Sequence, residues 1–559
     1  MAYFLKKLNS KGRTYLSICE SFYDPKRKGT AHRTYKSLSS VESLKESGID
    51  DPIAHYQEEV NKLNNEKKLK EVELISEHSP IRYIGYFLCS AILKKLEVKK
   101  VIDLFKLSTD YDFDLYEVLS SLVYARLVKP CSKYKSFHDV IPYLGNKVNF
   151  TYYQLLEALR FYGNDYEKFV ELFTKAVKDK YDVKTDITYF DCTNFYFEID
   201  KEDDFRRKGP SKENRKDPLV GLGLLLDANQ IPIGMKLYPG NESEKPVLRN
   251  IISELKTQNN IEGRTIHVAD KGLNCANNIY AAKENGDGYL FSKSVKQLPG
   301  VEKTWVLLQN DYKDVKDENG QILYRYKSCV DEFPYDYTDD NGKTYTLKLK
   351  EKRLVTYNPT LARKKIYEID RMVEKARGLC ASKAKKEEYG ESSKYVEFKG
   401  KDGSNIQVVI NEDKIKKDKE LAGYNLLVTS ELKMKDKDMY DTYHNLWRIE
   451  ESFRIMKSDL DARPVFVQSE ESIKGHFLIC YIAVLLERIL QFKVLENKYP
   501  SSYLYDFFKE YKVVKNKNEY TNITASNKFI DELTIFTGLP LKNLYLTEKQ
   551  FNKILDYKI

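Results

Sequence analysis

What this chain lacks excludes several classes of protein. Among its 559 residues are only eight cysteines and seven histidines. The cysteines (Cys19, Cys89, Cys131, Cys192, Cys275, Cys329, Cys380 and Cys480) are scattered, with no CxxC pair and no HxxxH partner. They read as reduced thiols, not as a disulfide frame or a zinc site. Long apolar runs are missing too. The most apolar stretch, Phe477 to Leu486, is about half the length a membrane span requires and is flanked by Lys474, His476 and Glu487. A buried helix is expected there, and no membrane partner. The opening Met1-Ala2-Tyr3-Phe4-Leu5-Lys6-Lys7 has no long apolar core of the kind a signal peptide carries. The expectation is a soluble, cytoplasmic protein. There is no internal repeat and no long low-complexity tract, and the formal net charge of +9 is modest for the length. That balance permits nucleic-acid binding without demanding it.

What is present is a globular composition, 42% apolar and 13% aromatic, at a length that suggests roughly three or four domains. Residues 1–75 read as a small strand-rich unit followed by a charged helical connector. Residues 76–180 show helical periodicity, a natural place for DNA contacts or simply a structural bundle. At Asp186 to Ile199 the period changes to that of a strand rich in β-branched and aromatic residues. Strands follow at Leu219 to Leu226, Ile231 to Tyr238, Arg264 to Ala269 and Tyr289 to Ser294, with helices at Pro246 to Gln258 and Asn274 to Asn285. The order β-β-β-α-β-α-β over residues 181–300 describes a mixed α/β sheet that starts as an antiparallel meander. Residues 301–430 read as a mostly β insertion, with hairpin signals at Asn319-Gly320, Asn341-Gly342 and Asp402-Gly403 and one charged helix at Leu361 to Lys383. Residues 431–495 return to the core, and 496–559 carry no functional signal.

Three acids stand out. Asp191 lies in the apolar strand Tyr189-Phe190-Asp191-Cys192-Thr193-Asn194, where an uncompensated charge is costly. Asp270 ends the fourth strand, ahead of Lys271-Gly272, at the carboxyl edge where mixed sheets place ligands. Glu450 lies in Tyr443-His444-Asn445-Leu446-Trp447-Arg448-Ile449-Glu450-Glu451-Ser452-Phe453-Arg454-Ile455-Met456-Lys457. On one helix Tyr443, Glu450 and Lys457 would share a face, with Glu450 among apolar neighbours and in need of a compensating cation. The blander alternative is an amphipathic helix with an ordinary Glu450–Arg454 pair. Glu451 competes for the third place but lies off that face, and Trp447 is expected in the core. Three carboxylates converging from two strands and a helix suit hard divalent cations.

These residues resemble the DDE transposases of bacterial insertion sequences, whose catalytic core is RNase H-like. One subgroup carries Tyr-x2-Arg-x3-Glu-x6-Lys on its last catalytic helix. Tyr443, Glu450 and Lys457 fall at those offsets, while Leu446 stands at the Arg position, leaving Arg448 or Arg454 as substitutes. Asp191-Cys192-Thr193 is similar to the first-aspartate motif. Asp270-Lys271-Gly272 is similar to the second, with Cys275 where an aromatic is usual, and Pro239-Gly240-Asn241 to the segment after the third strand. The resemblance covers about residues 181–490 and extends to the β-rich insertion. It implies an RNase H-like core and cleavage of element ends followed by joining to target DNA. It also implies two Mg²⁺ ions (Mn²⁺ substituting) on Asp191, Asp270 and Glu450, with Lys457 and Tyr443 at the DNA backbone. Arg206 and Arg207, with Lys208, Lys212, Arg215 and Lys216, are candidates to line the DNA path. The partners implied are double-stranded DNA, as terminal inverted repeats and target, and a second copy of the chain on DNA. The active protein would then be nucleoid-associated. The alternatives are a metal-dependent nuclease of the same fold and a catalytically silent DNA-binding descendant. The presence of all three carboxylates argues against the latter.

Overall fold

The structure is a computed structural model. It describes residues 2–24, 29–77, 81–145, 148–210, 216–249, 263–339, 341–381, 386–399, 407–516 and 519–559. Two units are present, Met1–Arg82 with Lys512–Asn552, and Tyr83–Tyr511 with Lys553–Ile559. The first holds an antiparallel sheet of Tyr3–Ser10, Arg13–Asp24 and Gly29–Ser40. The charged segment expected to be a connector is a helix, Pro52–Glu77, fastened to that sheet. Tyr3 N donates to Asn64 Oδ1 at 2.8 Å, and Lys67 Nζ pairs with the buried Glu20 at 2.8 Å. Strands Lys512–Asn516, Glu519–Asn522 and Tyr545–Thr547 form an antiparallel ladder in the same unit.

The second unit begins with helices, numbered here along that unit. They include α1 (Leu115–Val128), α2 (Tyr152–Asn164) and α3 (Tyr166–Lys180). Asp114 caps α1 by accepting from Glu117 N at 3.0 Å, and Thr151 with Gln154 forms a capping box at the start of α2. The β-branched and aromatic run then forms β1 (Ile187–Tyr196), followed by β2 (Leu219–Leu226) and β3 (Pro232–Pro239). Every residue of β2 is buried, as expected of a strand covered on both faces. Next come β4 (Ile266–Ala269), α4 (Ala276–Glu284) and β5 (Gly288–Lys293). The helix expected at Pro246 to Gln258 begins at residue 244, and its continuation beyond 249 lies outside the described residues.

β1 pairs antiparallel with β2 and β2 with β3, while β4 is parallel to both β1 and β5. The lateral order β3-β2-β1-β4-β5 is thus a meander continued by two parallel strands, the mixed sheet anticipated from the sequence. The insertion does not stand apart as a separate barrel or sandwich. Its strands β6 (Lys313–Lys316), β7 (Ile322–Thr338) and β8 (Thr344–Tyr357) extend the same sheet to nine strands. Helix α5 (Pro359–Ala381) follows, and β9 (Tyr424–Thr429) joins β8 to β5. Gly320 and Gly342 adopt φ near +78° and +79° in the turns flanking β7, as the Asn-Gly signals require. Asp402-Gly403 lies outside the described residues. Beyond β9 come α6 (Asp436–His444), α7 (Trp447–Arg454), the buried α8 (Glu470–Ile489) and α9 (Ser501–Glu510). Among the described residues, no helix is long and apolar enough to cross a membrane.

Candidate active site

Strand register brings the two aspartates abreast. In the parallel β1–β4 ladder, Ile187 faces Ile266, Thr188 faces His267 and Tyr189 faces Val268. Continued two residues, that register sets Asp191 beside Asp270, just past the carboxyl end of β4. Neighbouring strands lie about 4.8 Å apart, and partners in register point to the same side. Both aspartates are half-buried. Phe190 and Cys192, pointing the other way, join the core made with Ala269, Leu273 and Ile279.

The third segment departs from the expected single helix. Around Asn445 and Leu446 the bonding tightens to a three-residue step: Leu446 N to Tyr443 O at 3.0 Å, Arg448 N to Asn445 O and Ile449 N to Leu446 O at 3.1 Å. α6 ends there and α7 begins. After Arg454 the coil widens over Ile455–Asp459, where Leu460 N reaches Ile455 O at 2.9 Å. Tyr443, Glu450 and Lys457 therefore belong to three successive pieces of backbone, and the seven-residue azimuth rule does not align them.

Tyr443 nevertheless meets Asp270. Its hydroxyl donates to Asp270 Oδ1 at 3.0 Å. Burial first, and then the Asp270 charge, push the Tyr443 phenol well above its ordinary range, with the Glu450 charge adding to the effect. Tyr443 is thus bound to a carboxylate from the same segment that carries Glu450. Farther along, Lys457 Nζ lies 5.5 Å from the centre of the Phe195 ring. Phe195 and Asp191 share a strand face, being four residues apart.

The two glutamates reverse the environments expected of them. Glu450 is exposed and makes no hydrogen bond or ion pair with a described residue. The Glu450–Arg454 pair does not form; Arg454 instead pairs with Glu451 at 3.8 Å and Asp459 at 3.4 Å. Glu451 is the carboxylate that turns inward. Arg488 donates to it at 3.0 Å, Ser501 Oγ at 3.1 Å and Arg448 at 3.4 Å. Burial pushes the Glu451 carboxyl up, but Arg488 and these hydrogen bonds outweigh burial and hold it below the usual range. The buried Arg488 also donates to Ser452 Oγ at 3.1 Å and Gln491 Oε1 at 2.6 Å, fastening α7 to α8. Sequence reasoning missed Arg488 because it sits inside an apolar helix with no motif around it. Trp447, expected in the core, is 47% exposed, with the Arg448 guanidinium 3.8 Å from its ring centre.

Two members of the basic run are paired with neighbouring acids. Arg206 pairs with Asp203 at 2.5 Å and Arg207 with Asp204 at 2.9 Å. Lys212 and Arg215 lie outside the described residues. Gly240 has a packing role. A Cβ there would lie 2.3 Å from Leu219 O and 2.6 Å from Arg207 O, so only glycine lets the end of β3 close on this segment.

Asp191, Asp270 and Glu450 offer hard oxygen donors, the chemistry Mg²⁺ prefers. Among the described residues, however, no group of three or more His, Cys, Asp and Glu side chains is arranged to hold a metal ion. The donor types fit, while the spacing does not form a closed three-carboxylate set.

The family model described as transposase DDE domain matches residues 184–486, more than half of the chain. The chain belongs to that family. No curated protein matches it. Among solved structures it is similar to a piggyBac transposase synaptic complex with hairpin DNA. That match has a TM-score of 0.36 and 11% identity, and covers 78% of this chain and 83% of the other.

Proposed function

We propose that this member of the DDE transposase family cleaves the ends of an insertion sequence and joins the 3′-hydroxyls to target DNA, on an RNase H-like core. The observation that carries the reading is the β1–β4 register, which sets Asp191 beside Asp270, together with the Tyr443–Asp270 bond from the segment bearing Glu450. Asp191, Asp270 and Glu450 would hold two Mg²⁺ ions, or Mn²⁺ in their place. When bound, such ions activate the attacking oxygen and stabilise the leaving one.

The chain's own residues do the positioning. Tyr443 orients the Asp270 carboxylate by donating to one of its oxygens, leaving the other open. Glu451 and Arg488 hold α7 from behind, so that Glu450, one residue earlier, projects outward. Lys457 supplies a point charge to a DNA phosphate. Arg448 and Arg454 stand near Leu446, where the family pattern has arginine, although Arg448 is shared with Glu451 and Arg454 with Glu451 and Asp459. Arg206 and Arg207, already paired, contribute to the DNA path as part of a mixed-charge surface. The substrates are double-stranded DNA, the terminal inverted repeats and a target. Joining two ends calls for two copies of the chain on DNA, acting in the cytoplasm at the nucleoid.

The test is transfer of a pre-cut end, taken from the DNA flanking the coding region, into a supercoiled plasmid with Mg²⁺. Covalent joining is expected. Nicks or breaks without joining would mark a nuclease, and end binding without Mg²⁺- or Mn²⁺-dependent chemistry would mark a silent DNA-binding protein.

A further inference from the structure

The insertion strands that widen the sheet present two faces. On β7 and β8 the odd-numbered residues Phe333, Tyr335, Leu349 and Val355 pack into the core. Side chains alternate along a strand, and Val330 pairs with Lys352 in the β7–β8 ladder, so Tyr324, Ser328 and Lys352 share the opposite face. That face meets α6. Lys352 Nζ pairs with Asp436 Oδ1 at 2.6 Å and donates to Met434 O at 2.6 Å. Ser328 Oγ donates to Asp436 Oδ2 at 3.1 Å. Farther along the helix, the Tyr324 ring stacks on Tyr440, with centres 4.1 Å apart and planes inclined by 6°. Tyr440 stacks in turn on His444 at 3.8 Å, and His444 Nδ1 donates to Tyr440 O at 2.8 Å, which fixes the last ring of the column.

Asp436, Tyr440 and Tyr443 recur at helical steps of four and three, so one stripe of α6 carries both the contacts to the insertion and the phenol on Asp270. Asp436 stands in the first turn, where a carboxylate also suits the helix dipole. Its pair with Lys352 is largely shielded from water, the two side chains being 18% and 11% exposed. The helix is thus tied to β7 and β8 near both of its ends, which fixes its rotation about its own axis. That rotation decides where Tyr443 reaches. A turn of about 20° would carry a side-chain tip about 6 Å from the axis through about 2 Å, enough to break the bond to Asp270. The tightened turn at Asn445–Leu446 then passes the setting of α6 on to α7 and Glu450.

We propose that Tyr324 and Lys352 of the insertion are positioning residues for the phosphoryl-transfer site. Acting through Tyr440 and Asp436, they set the rotation of α6, and so hold the Tyr443 hydroxyl on Asp270 and fix the start of the segment that bears Glu450. Neither residue touches DNA in this assignment. Their effect falls on the reacting groups, where a displacement of about 1 Å costs up to about a hundredfold in rate. The catalytic part of the claim rests on the proposed function; the placing of Tyr443 rests on the contacts of α6 alone.

The experiment places 3-fluorotyrosine at position 443 of the full-length protein and reads its fluorine resonance in EDTA, without DNA or metal. Asp270→Ala gives the position of the unbonded phenol. Tyr324→Ala and Asp436→Ala are each expected to move the parent resonance most of the way to that position. Tyr324→Phe, which keeps the stacked ring and loses only the hydroxyl, is expected to keep the parent resonance. A parent resonance in both alanine variants would overturn the proposal, as would a shift in Tyr324→Phe equal to that in Tyr324→Ala. In strand transfer, Tyr324→Ala is expected to lower kcat about tenfold with KM for end DNA within about twofold, and Tyr324→Phe to restore kcat. A raised KM at unchanged kcat would place the ring on DNA and overturn the positioning role. If the parent itself joins no DNA, the proposed function fails while the fluorine readout still decides what holds Tyr443.

Discussion

Glu450 and Glu451 are adjacent in the chain, yet they belong to two regions with opposite electrostatics. Behind α7, Glu451, Arg488, Ser452 and Ser501 form a buried network in which the glutamate's charge meets several donors. In front, Asp191 and Asp270 stand abreast at the sheet edge, Tyr443 donates to Asp270, and Glu450 is exposed and makes no ion pair with a described residue. Compensation by buried donors marks Glu451 as structural, whereas the exposed Glu450 is left open to a ligand. A buried ion pair broken on one side strands a charge, whereas an exposed carboxylate without a partner costs the fold almost nothing.

The sharpest way to break that contrast is Glu450→Gln. Mg²⁺-dependent cleavage of end DNA is expected to fall on the order of 10³-fold, with the melting free energy within about 0.5 kcal/mol of the parent. Full activity in Glu450→Gln, with loss in Glu451→Gln, would exchange the two assignments. Arg488→Ala acts on the other side. Removing the guanidinium takes from the buried Glu451 its closest cation, leaving Arg448 and Arg454 at longer range, and denaturant unfolding is expected to show a loss of about 3 kcal/mol. A change below about 1 kcal/mol would mean that the network does not hold α7.

The buried region also has a pH signature. Glu487 is fully buried, neither carboxyl oxygen has a hydrogen bond, and Arg488 Nε stands 3.7 Å away. Burial raises its pKa from 4.5 to about 7 against the pull of Arg488, and Glu451 and Asp459 push the same way as burial. The folded state thus binds this proton more tightly than the unfolded one. Stability is lost as pH rises from about 4.5 through about 7, by roughly 3 kcal/mol in all. Glu487→Gln is expected to match the parent near pH 4.5 and to exceed it by about that amount above pH 7. Parallel stability curves for the two proteins across that range would contradict it.

How much of this was legible beforehand differs between the same two regions. The strands carrying Asp191 and Asp270 were readable because β-branched and aromatic residues mark them, and because β1 and β4 are short elements with clear edges. Their alignment was not readable, since register depends on which residues of two distant strands pair. The environment of Glu450 was misread for a definite reason. The residue types suggest one uninterrupted helix from Tyr443 to Lys457, and the tightened turn at Asn445–Leu446 and the widened one after Arg454 leave no mark in them. Within the regular turn between them Glu450 is exposed and Glu451 is turned inward to Arg488. The hairpins of the insertion were readable from Asn-Gly, but their joining to the core sheet through β8 and β9 was not, because nothing local to a strand names its neighbour.

Two smaller effects refine the front region. Tyr443→Phe removes the donor to Asp270 and is expected to slow cleavage about tenfold, or about 1.4 kcal/mol, while end binding holds. Loss of binding with unchanged cleavage chemistry would instead put the phenol on DNA. Lys457→Ala is expected to weaken end binding modestly and to flatten its log–log salt slope by about 0.9, one phosphate contact. An unchanged slope would remove Lys457 from the interface.

The most direct measurement is Mn²⁺ binding by electron paramagnetic resonance on the protein assembled with end DNA. Bound Mn²⁺ is expected in the parent and in Glu451→Gln, and is expected to be lost or sharply weakened in Asp191→Asn, Asp270→Asn and Glu450→Gln alike. Retention of the parent signal in Glu450→Gln would contradict the meeting of these three acids at one sheet edge.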